Sequence, residues 1–293
     1  MHCCEMNLVR IFSYYDKIRF IACCFRQNEV LAELTYDEYR AIPDIVEYCR
    51  QIHRVQPANH DFNITHPSCN AQELICDWTP DEINRIDVCI DNACNLNCTM
   101  CNIPHEFNKE KNELYWDTLY KIKGHHLEVI YLTTQGEPFL NKQKLFAYLD
   151  TLSYEEDTHK INFITNPTTL DYDDICRLKA FEDRTGIKVD IGVSCDAISA
   201  ETYEKIRFNP HFDRVIENIK NLYKFGLTYC IHYTVMPEKL HELKNVKAWW
   251  AKECPGLQVH VNPVYDTGKN NGAAQAVQNS TEWKDFLANQ GCW

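Results

Sequence analysis

The chain has 293 residues, 45% of them hydrophobic and 25% charged, and its formal net charge is −12. That length suits one barrel-sized α/β domain, or a core domain with a smaller appendage. The acidic balance, with no cluster of Lys and Arg to displace counterions, weighs against nucleic acid as a main partner, and no apolar run is long enough to cross a bilayer. The start of the chain, Met1 to Arg10, lacks the charged-then-apolar pattern of a secretory signal. The expected compartment is therefore the cytoplasm, with no membrane partner.

In chain order, Asn7 to Phe12 and Lys17 to Ala22 are short β-like runs around Tyr14-Tyr15-Asp16, which predicts a hairpin. Tyr36 to Arg54 reads as a helix with Pro43 near its first turn. From Asp81 the chain alternates strands and helices. Strands are predicted at Arg85 to Ile90, Leu127 to Thr133, Ile161 to Thr165, Val189 to Ser194, Tyr229 to Val235 and Leu257 to Val264. Helices are predicted at Asn141 to Leu152, Tyr172 to Glu182, Ser199 to Ile206, Phe212 to Phe225, Glu238 to Lys252 and Thr281 to Asn289. Alternating βα units imply a parallel sheet, because parallel neighbours need crossover connections. Six units are too few for a closed eight-fold barrel, so an α/β fold with a partial, open (β/α)6 barrel is expected over residues 81–293. Residues 1–80 are expected to form a separate small Cys-rich module of hairpin plus helix. A flat doubly wound sheet is the alternative, but no Gly-rich dinucleotide fingerprint supports it.

The sixteen cysteines are the unusual feature of the composition. Cytosolic thiols stay reduced, so grouped cysteines point to a metal or a cluster rather than to disulfides. Isolated ones behave as small core residues: Cys89, Cys195 and Cys230 in apolar β-like runs, Cys176 and Cys254 in helical stretches. The central group is Cys94-Asn-Leu-Asn-Cys98-Thr-Met-Cys101, directly after a predicted strand. Three thiolates in one short loop can wrap a single inorganic centre. A cubane held by three cysteines keeps one iron open for a ligand. Structural zinc, with His105 as the nearby fourth ligand, is the competing reading.

This cysteine spacing resembles the motif of the radical SAM superfamily, and the resemblance runs from about Asp81 to about Val264. Met100 stands where the family usually has an aromatic residue. Gln135-Gly136-Glu137-Pro138 is similar to the family's Gly-Gly-Glu-Pro segment, which in relatives contacts the methionine amino group of S-adenosylmethionine (SAM). Locally, Gly136 permits close backbone approach, and Glu137 offers a carboxylate to an ammonium. Ile164-Thr165-Asn166 is similar to the Thr-Asn-Gly segment, with Pro167 in place of glycine. Ser194-Cys195-Asp196-Ala197, followed by Arg207, resembles the fourth-strand signature. There Ser194 would face the ribose or methionine end of SAM. Arg207 would take its carboxylate, which suits a bidentate donor. The resemblance thus implies an enzyme that holds a [4Fe–4S] cluster on Cys94, Cys98 and Cys101 and reductively cleaves SAM to a 5′-deoxyadenosyl radical. That radical would abstract hydrogen from a peptide or protein side chain, or, alternatively, from a small metabolite or nucleotide precursor.

An electron donor such as flavodoxin or ferredoxin is implied as a partner. The N-terminal cysteines look like part of the auxiliary-cluster (SPASM or twitch) modules of radical SAM peptide maturases. In most relatives that module follows the barrel, whereas here it would precede it. The candidate ligands of a second iron–sulfur cluster are Cys4, Cys23, Cys69 and Cys76, with Cys3, Cys24 and Cys292 as substitutes. A non-catalytic, zinc-stabilised binding module is the reading from a different class.

Overall fold

The computed structural model describes residues 8–21, 30–54, 83–133, 135–266 and 270–289. The first elements are β1 (Leu8–Tyr14), β2 (Lys17–Ile21), β3 (Val30–Thr35), α1 (Tyr36–Arg40) and α2 (Ile45–Arg54). Then come β4 (Arg85–Cys89), α3 (Lys109–Lys121), β5 (Leu127–Tyr131), α4 (Lys142–Leu149), β6 (Thr158–Thr165), α5 (Tyr172–Thr185) and β7 (Lys188–Ser194). The chain continues with α6 (Ala200–Arg207), α7 (Phe212–Lys224), β8 (Thr228–Val235), α8 (Val246–Glu253), β9 (Gln258–Pro263), α9 (Ala273–Asn279) and α10 (Thr281–Ala288).

All the strands form one sheet in the order β3-β2-β1-β4-β5-β6-β7-β8-β9. The six predicted parallel strands are β4 to β9, each hydrogen-bonded to the next. Among the described residues β3 and β9 remain edges, so the sheet is open, as expected of a partial barrel. The predicted hairpin is β1–β2, with β3 added antiparallel to β2. In space this hairpin continues the barrel sheet, because β1 pairs in parallel with β4, Leu8 opposite Arg85 and Phe12 opposite Cys89.

Two predicted helices are broken. Tyr36 to Arg54 divides into α1 and α2 around Pro43, which cannot donate to a helical ladder and disfavours helical backbone before it. Glu238 to Lys252 divides into a 3-10 turn at Pro237–Glu242 and α8. Lys239 leaves helical geometry there (φ −121°, ψ 17°), and its buried ammonium hydrogen-bonds the carbonyl oxygen of Asp196. Helix α3 has no counterpart among the expected elements. Asn108 caps it, and Leu114, Tyr115, Trp116 and Leu119 are buried.

Strand alternation sorts the sheet into two faces. Ile86 and Val88 on β4, Ile161 and Phe163 on β6, Val189, Ile191 and Val193 on β7, and Ile231, Tyr233 and Val235 on β8 join the apolar core. The alternate positions face the other way and are mostly polar: Asp87, Asn162, Asp190, Ser194 and His232. Ion pairs tie this face together, Arg10 to Asp87 at 2.6 Å and Lys160 to Asp190 at 3.1 Å. The open face is thus mostly polar and the covered face apolar.

Candidate functional site

The loop after β4 is held by its own polar side chains. Asp91 accepts from the Ala93 amide at 3.1 Å and from the Asn112 side chain at 2.5 Å. Asn92 donates to the Pro104 carbonyl at 2.5 Å. A turn closes from the Cys101 amide to the Cys98 carbonyl at 3.1 Å. His105 Nδ1 lies 3.0 Å from the Asn92 carbonyl oxygen and its Nε2 3.1 Å from Cys101 Sγ. Cys98 is buried, and Cys94 and Cys101 are half-buried.

Three other segments meet this loop. Gln135 and Glu137 donate their amides to the carbonyls of Asp91 (2.9 Å) and Ala93 (2.8 Å), which lays the segment after β5 along the loop. Gly136 lies between them. A Cβ there would stand 1.9 Å from the Ala93 carbonyl oxygen, so no other residue fits this approach. After β6, Asn166 Nδ2 lies 3.8 Å from Cys94 Sγ and 3.2 Å from Asn95 Oδ1. Asn95 in turn donates to the Thr168 hydroxyl at 2.7 Å. At the end of α6, the Ile206 carbonyl accepts from the Thr99 amide at 2.9 Å, which places the next residue, Arg207, beside the loop.

The predicted site residues therefore gather at one mouth of the sheet. Glu137 is buried and accepts from the Thr165 hydroxyl (2.6 Å), the Asn166 amide (2.8 Å) and the Phe139 amide (3.1 Å). Burial raises its pKa against the pull of those bonds. Its carboxylate is a strut between the ends of β5 and β6. Pro138 is buried and opens the 3-10 turn Pro138–Asn141. The Gln135 side chain reaches back to Ser13 at the end of β1, at 3.3 Å through both amide atoms. Ser194 ends β7, half-buried, in register with His232.

Arg207 is buried and ion-paired with buried Asp196. Its Nε has no hydrogen-bond partner among the described residues. Burial raises the pKa of the Cys98 thiol, and the Arg207 charge opposes that shift. Burial likewise pushes Cys94 up to about 11, with Glu137, Cys98 and Cys101 adding to the effect. The protein alone thus keeps these thiols protonated, and binding a metal centre displaces their protons. Sequence reasoning missed the buried support behind Arg207. Lys239 donates to the Asp196 carbonyl, and Glu242 accepts from the Ser199 hydroxyl at 2.6 Å and the Tyr233 hydroxyl at 3.0 Å. In sequence both look like solvated helix positions, and nothing local marks them.

A single zinc ion draws tetrahedral sulfur ligands to roughly 3.8 Å of one another at Zn–S distances of about 2.3 Å. Among the described residues, the group of three or more His, Cys, Asp or Glu ligand atoms within 4.8 Å of one another lies elsewhere, on β8 and β9. No three of the loop thiols and His105 come together that closely, although His105 Nε2 lies 3.1 Å from Cys101 Sγ. The thiols are nevertheless close enough for their charges to couple, Cys94 with Cys98 and Cys101. Three thiols of one loop with coupled charges, an orphaned buried guanidinium donor and a glycine cradle fit a cluster held by three cysteines. An open cavity of about 450 Å3 lies against the loop, lined by Cys94, Asn95, Leu96, Asn97, His105 and Phe208. The candidate auxiliary ligands Cys4, Cys23, Cys69 and Cys76, and their substitutes Cys3, Cys24 and Cys292, lie outside the described residues.

The profile of the Radical SAM superfamily matches residues 88–249. Among solved structures, native anSMEcpe with bound AdoMet is similar at 16% identity with a TM-score of 0.53, the match covering 70% of this chain and 60% of that one. SuiB from Streptococcus suis, bound to the precursor peptide SuiA, is similar at 12% identity with a TM-score of 0.50, covering 70% of this chain and 45% of that one. The chain thus spans less than two thirds of the length of these structures. No curated protein matches it. Among the described residues no helix is long and apolar enough to cross a membrane.

Proposed function

The chain belongs to the radical SAM superfamily, and from that premise we propose that it modifies a peptide or protein side chain by radical chemistry begun at the Cys94–Cys98–Cys101 loop. Convergence carries the reading: the loop, the Gly136 segment, Asn166 and Arg207 come from four parts of the chain and meet at the strand ends. Parallel α/β folds build their sites there. When bound, a reduced [4Fe–4S] cluster and SAM supply the 5′-deoxyadenosyl radical that takes a substrate hydrogen.

The chain's own residues do the rest. Cys94, Cys98 and Cys101 hold the cluster with three thiolates. Arg207, fixed by Asp196, sets a positive charge beside Cys98, which eases its deprotonation. Its free Nε is the donor left for the ligand. Gly136 brings the backbone of Gln135 to Pro138 against the loop, as a wall for the methionine end of SAM. Glu137 stiffens that wall through Thr165 and Asn166. Ser194 offers a hydroxyl from the neighbouring strand end. The open sheet admits a large substrate, and the fold is shared with SuiB, whose structure carries a precursor peptide. A cytoplasmic location and a flavodoxin or ferredoxin as electron donor complete the reading.

The test uses the full chain purified without oxygen. About four iron and four sulfide per loop site are expected, together with release of 5′-deoxyadenosine from SAM under reduction. The loop's share of iron and sulfide and the release of 5′-deoxyadenosine should both be lost when Cys94, Cys98 and Cys101 are replaced by Ala. Peptides, rather than small metabolites, should stimulate that release. Absence of iron–sulfur loading rejects the radical reading, and stimulation by metabolites alone rejects the peptide.

A further inference from the structure

The open face of the sheet carries a second group of ligand side chains, which the proposed chemistry does not use. Cys230 and His232 stand two residues apart on β8 and therefore share a face. His260 on β9 is the register partner of His232. One ligand atom from each of the three lies within 4.8 Å of the other two. Cys230 Sγ is 3.4 Å from His232 Nε2, and the two imidazole rings meet edge to face with centroids 5.5 Å apart. None of the three belongs to the contiguous apolar core. Room for them is made by Gly192 on β7, where a Cβ would lie 2.7 Å from His232 Nε2 and 2.9 Å from the Tyr229 hydroxyl. Any larger residue at Gly192 would push the imidazole out of this arrangement.

We propose that Cys230, His232 and His260 bind one divalent cation of the zinc type, through one thiolate and two imidazoles. Thiolate and imidazole are ligands for a borderline-soft ion and poor ones for Mg2+ or Ca2+, which take oxygen. Among the described residues no fourth His, Cys, Asp or Glu joins the group. The site thus has the three-ligand form in which zinc keeps an exchangeable position. His260 is exposed and His232 half-exposed, so that position is reached from the open face. The His232 carbonyl accepts from the Cys195 amide at 3.1 Å and His232 pairs with Ser194, so the cation sits beside the end of β7, next to Ser194. A thiolate, imidazole or carboxylate on the substrate would be held there by the metal; this last clause rests on the proposed function.

The experiment is done in the full chain with Cys94, Cys98 and Cys101 replaced by Ala, so that no loop cluster enters the count and the outcome does not depend on radical chemistry. Anaerobic titration with Co2+ alone should produce a tetrahedral spectrum with a thiolate-to-metal band. His260→Ala, an exposed change on the edge strand, should remove that spectrum while circular dichroism stays unchanged. Cys230→Ser should remove the thiolate band. X-ray absorption of the zinc-loaded protein should show one sulfur and at least two nitrogen ligands. No Co2+ uptake, a spectrum that survives His260→Ala, or an all-sulfur zinc shell would each overturn the assignment.

Discussion

Gly136→Ala tests the contact that shapes the cysteine loop. The new methyl carbon would lie 1.9 Å from the Ala93 carbonyl oxygen, 2.5 Å from its carbonyl carbon and 2.8 Å from that of Asn92. All three atoms are backbone, so no side chain can swing away. Reaching ordinary contact at 3.4 Å needs a separation of about 1.5 Å. That movement breaks the amide bonds from Glu137 to Ala93 (2.8 Å) and from Gln135 to Asp91 (2.9 Å). Forcing packed segments apart costs about 1–3 kcal/mol, and each lost bond adds about 0.5–1.5 kcal/mol. A total of roughly 2–6 kcal/mol lowers Tm by about 4–12 °C, at about 2 °C per kcal/mol for a chain of this size. Ala93 immediately precedes Cys94, so iron per chain should fall further than the loss of folded protein explains. Gly124→Ala is the control: its φ is +79° and nothing lies within 4 Å of a Cβ, so only the left-handed backbone penalty of about 1–2 kcal/mol applies. A Gly136→Ala protein that melts with the wild type and retains its iron would refute the close approach.

Replacing Arg207 with Met strands Asp196 as a buried carboxylate and should cost about 3–5 kcal/mol in urea unfolding. Adding Asp196→Asn should recover part of that loss, whereas strict additivity of the two changes would deny the pair. Burial holds the Lys239 ammonium down at about 8 against an ordinary 10.5, with Asp196 and Glu242 opposing. The unfolded chain therefore binds more protons between those values. This residue adds stability as pH rises from about 8 to above 10 and withdraws it as pH falls again. Lys239→Met should flatten that part of a urea-midpoint profile, and an unchanged slope would assign it to other groups. Phe208 caps α6 in left-handed backbone (φ 52°) while 64% exposed. Phe208→Gly should raise Tm by about 2 °C through relief of about 1 kcal/mol, and a fall would show that the ring packs to advantage in solution.

The cysteine motif was legible because its spacing is covalent: eight residues of loop keep three thiols together whatever surrounds them. Strands β4 to β8 were legible because buried Val, Ile and Tyr runs bounded by turn residues have few alternatives to a sheet, and β9 because Val259 and Val261 alternate with polar residues. Helix α3 was missed despite its Asn108 cap, since its buried Tyr115 and Trp116 give a weak stripe amid charged residues. Pro43 warned of the break between α1 and α2, but Lys239 did not warn of its own, because a contact with Asp196 across the fold decides it. The chain alone thus determined the alternating βα order, the cysteine loop and the segments that follow the strands. Tertiary structure decided which of those residues touch. It joined β1 to β4, turned Glu137 into a strut and gave Arg207 a buried partner. It also brought His260 opposite His232, and so made a ligand of Cys230, which local sequence marks only as a small core residue. Such contacts follow from strand register between distant segments, and register is set by the packing of whole faces rather than by any one segment.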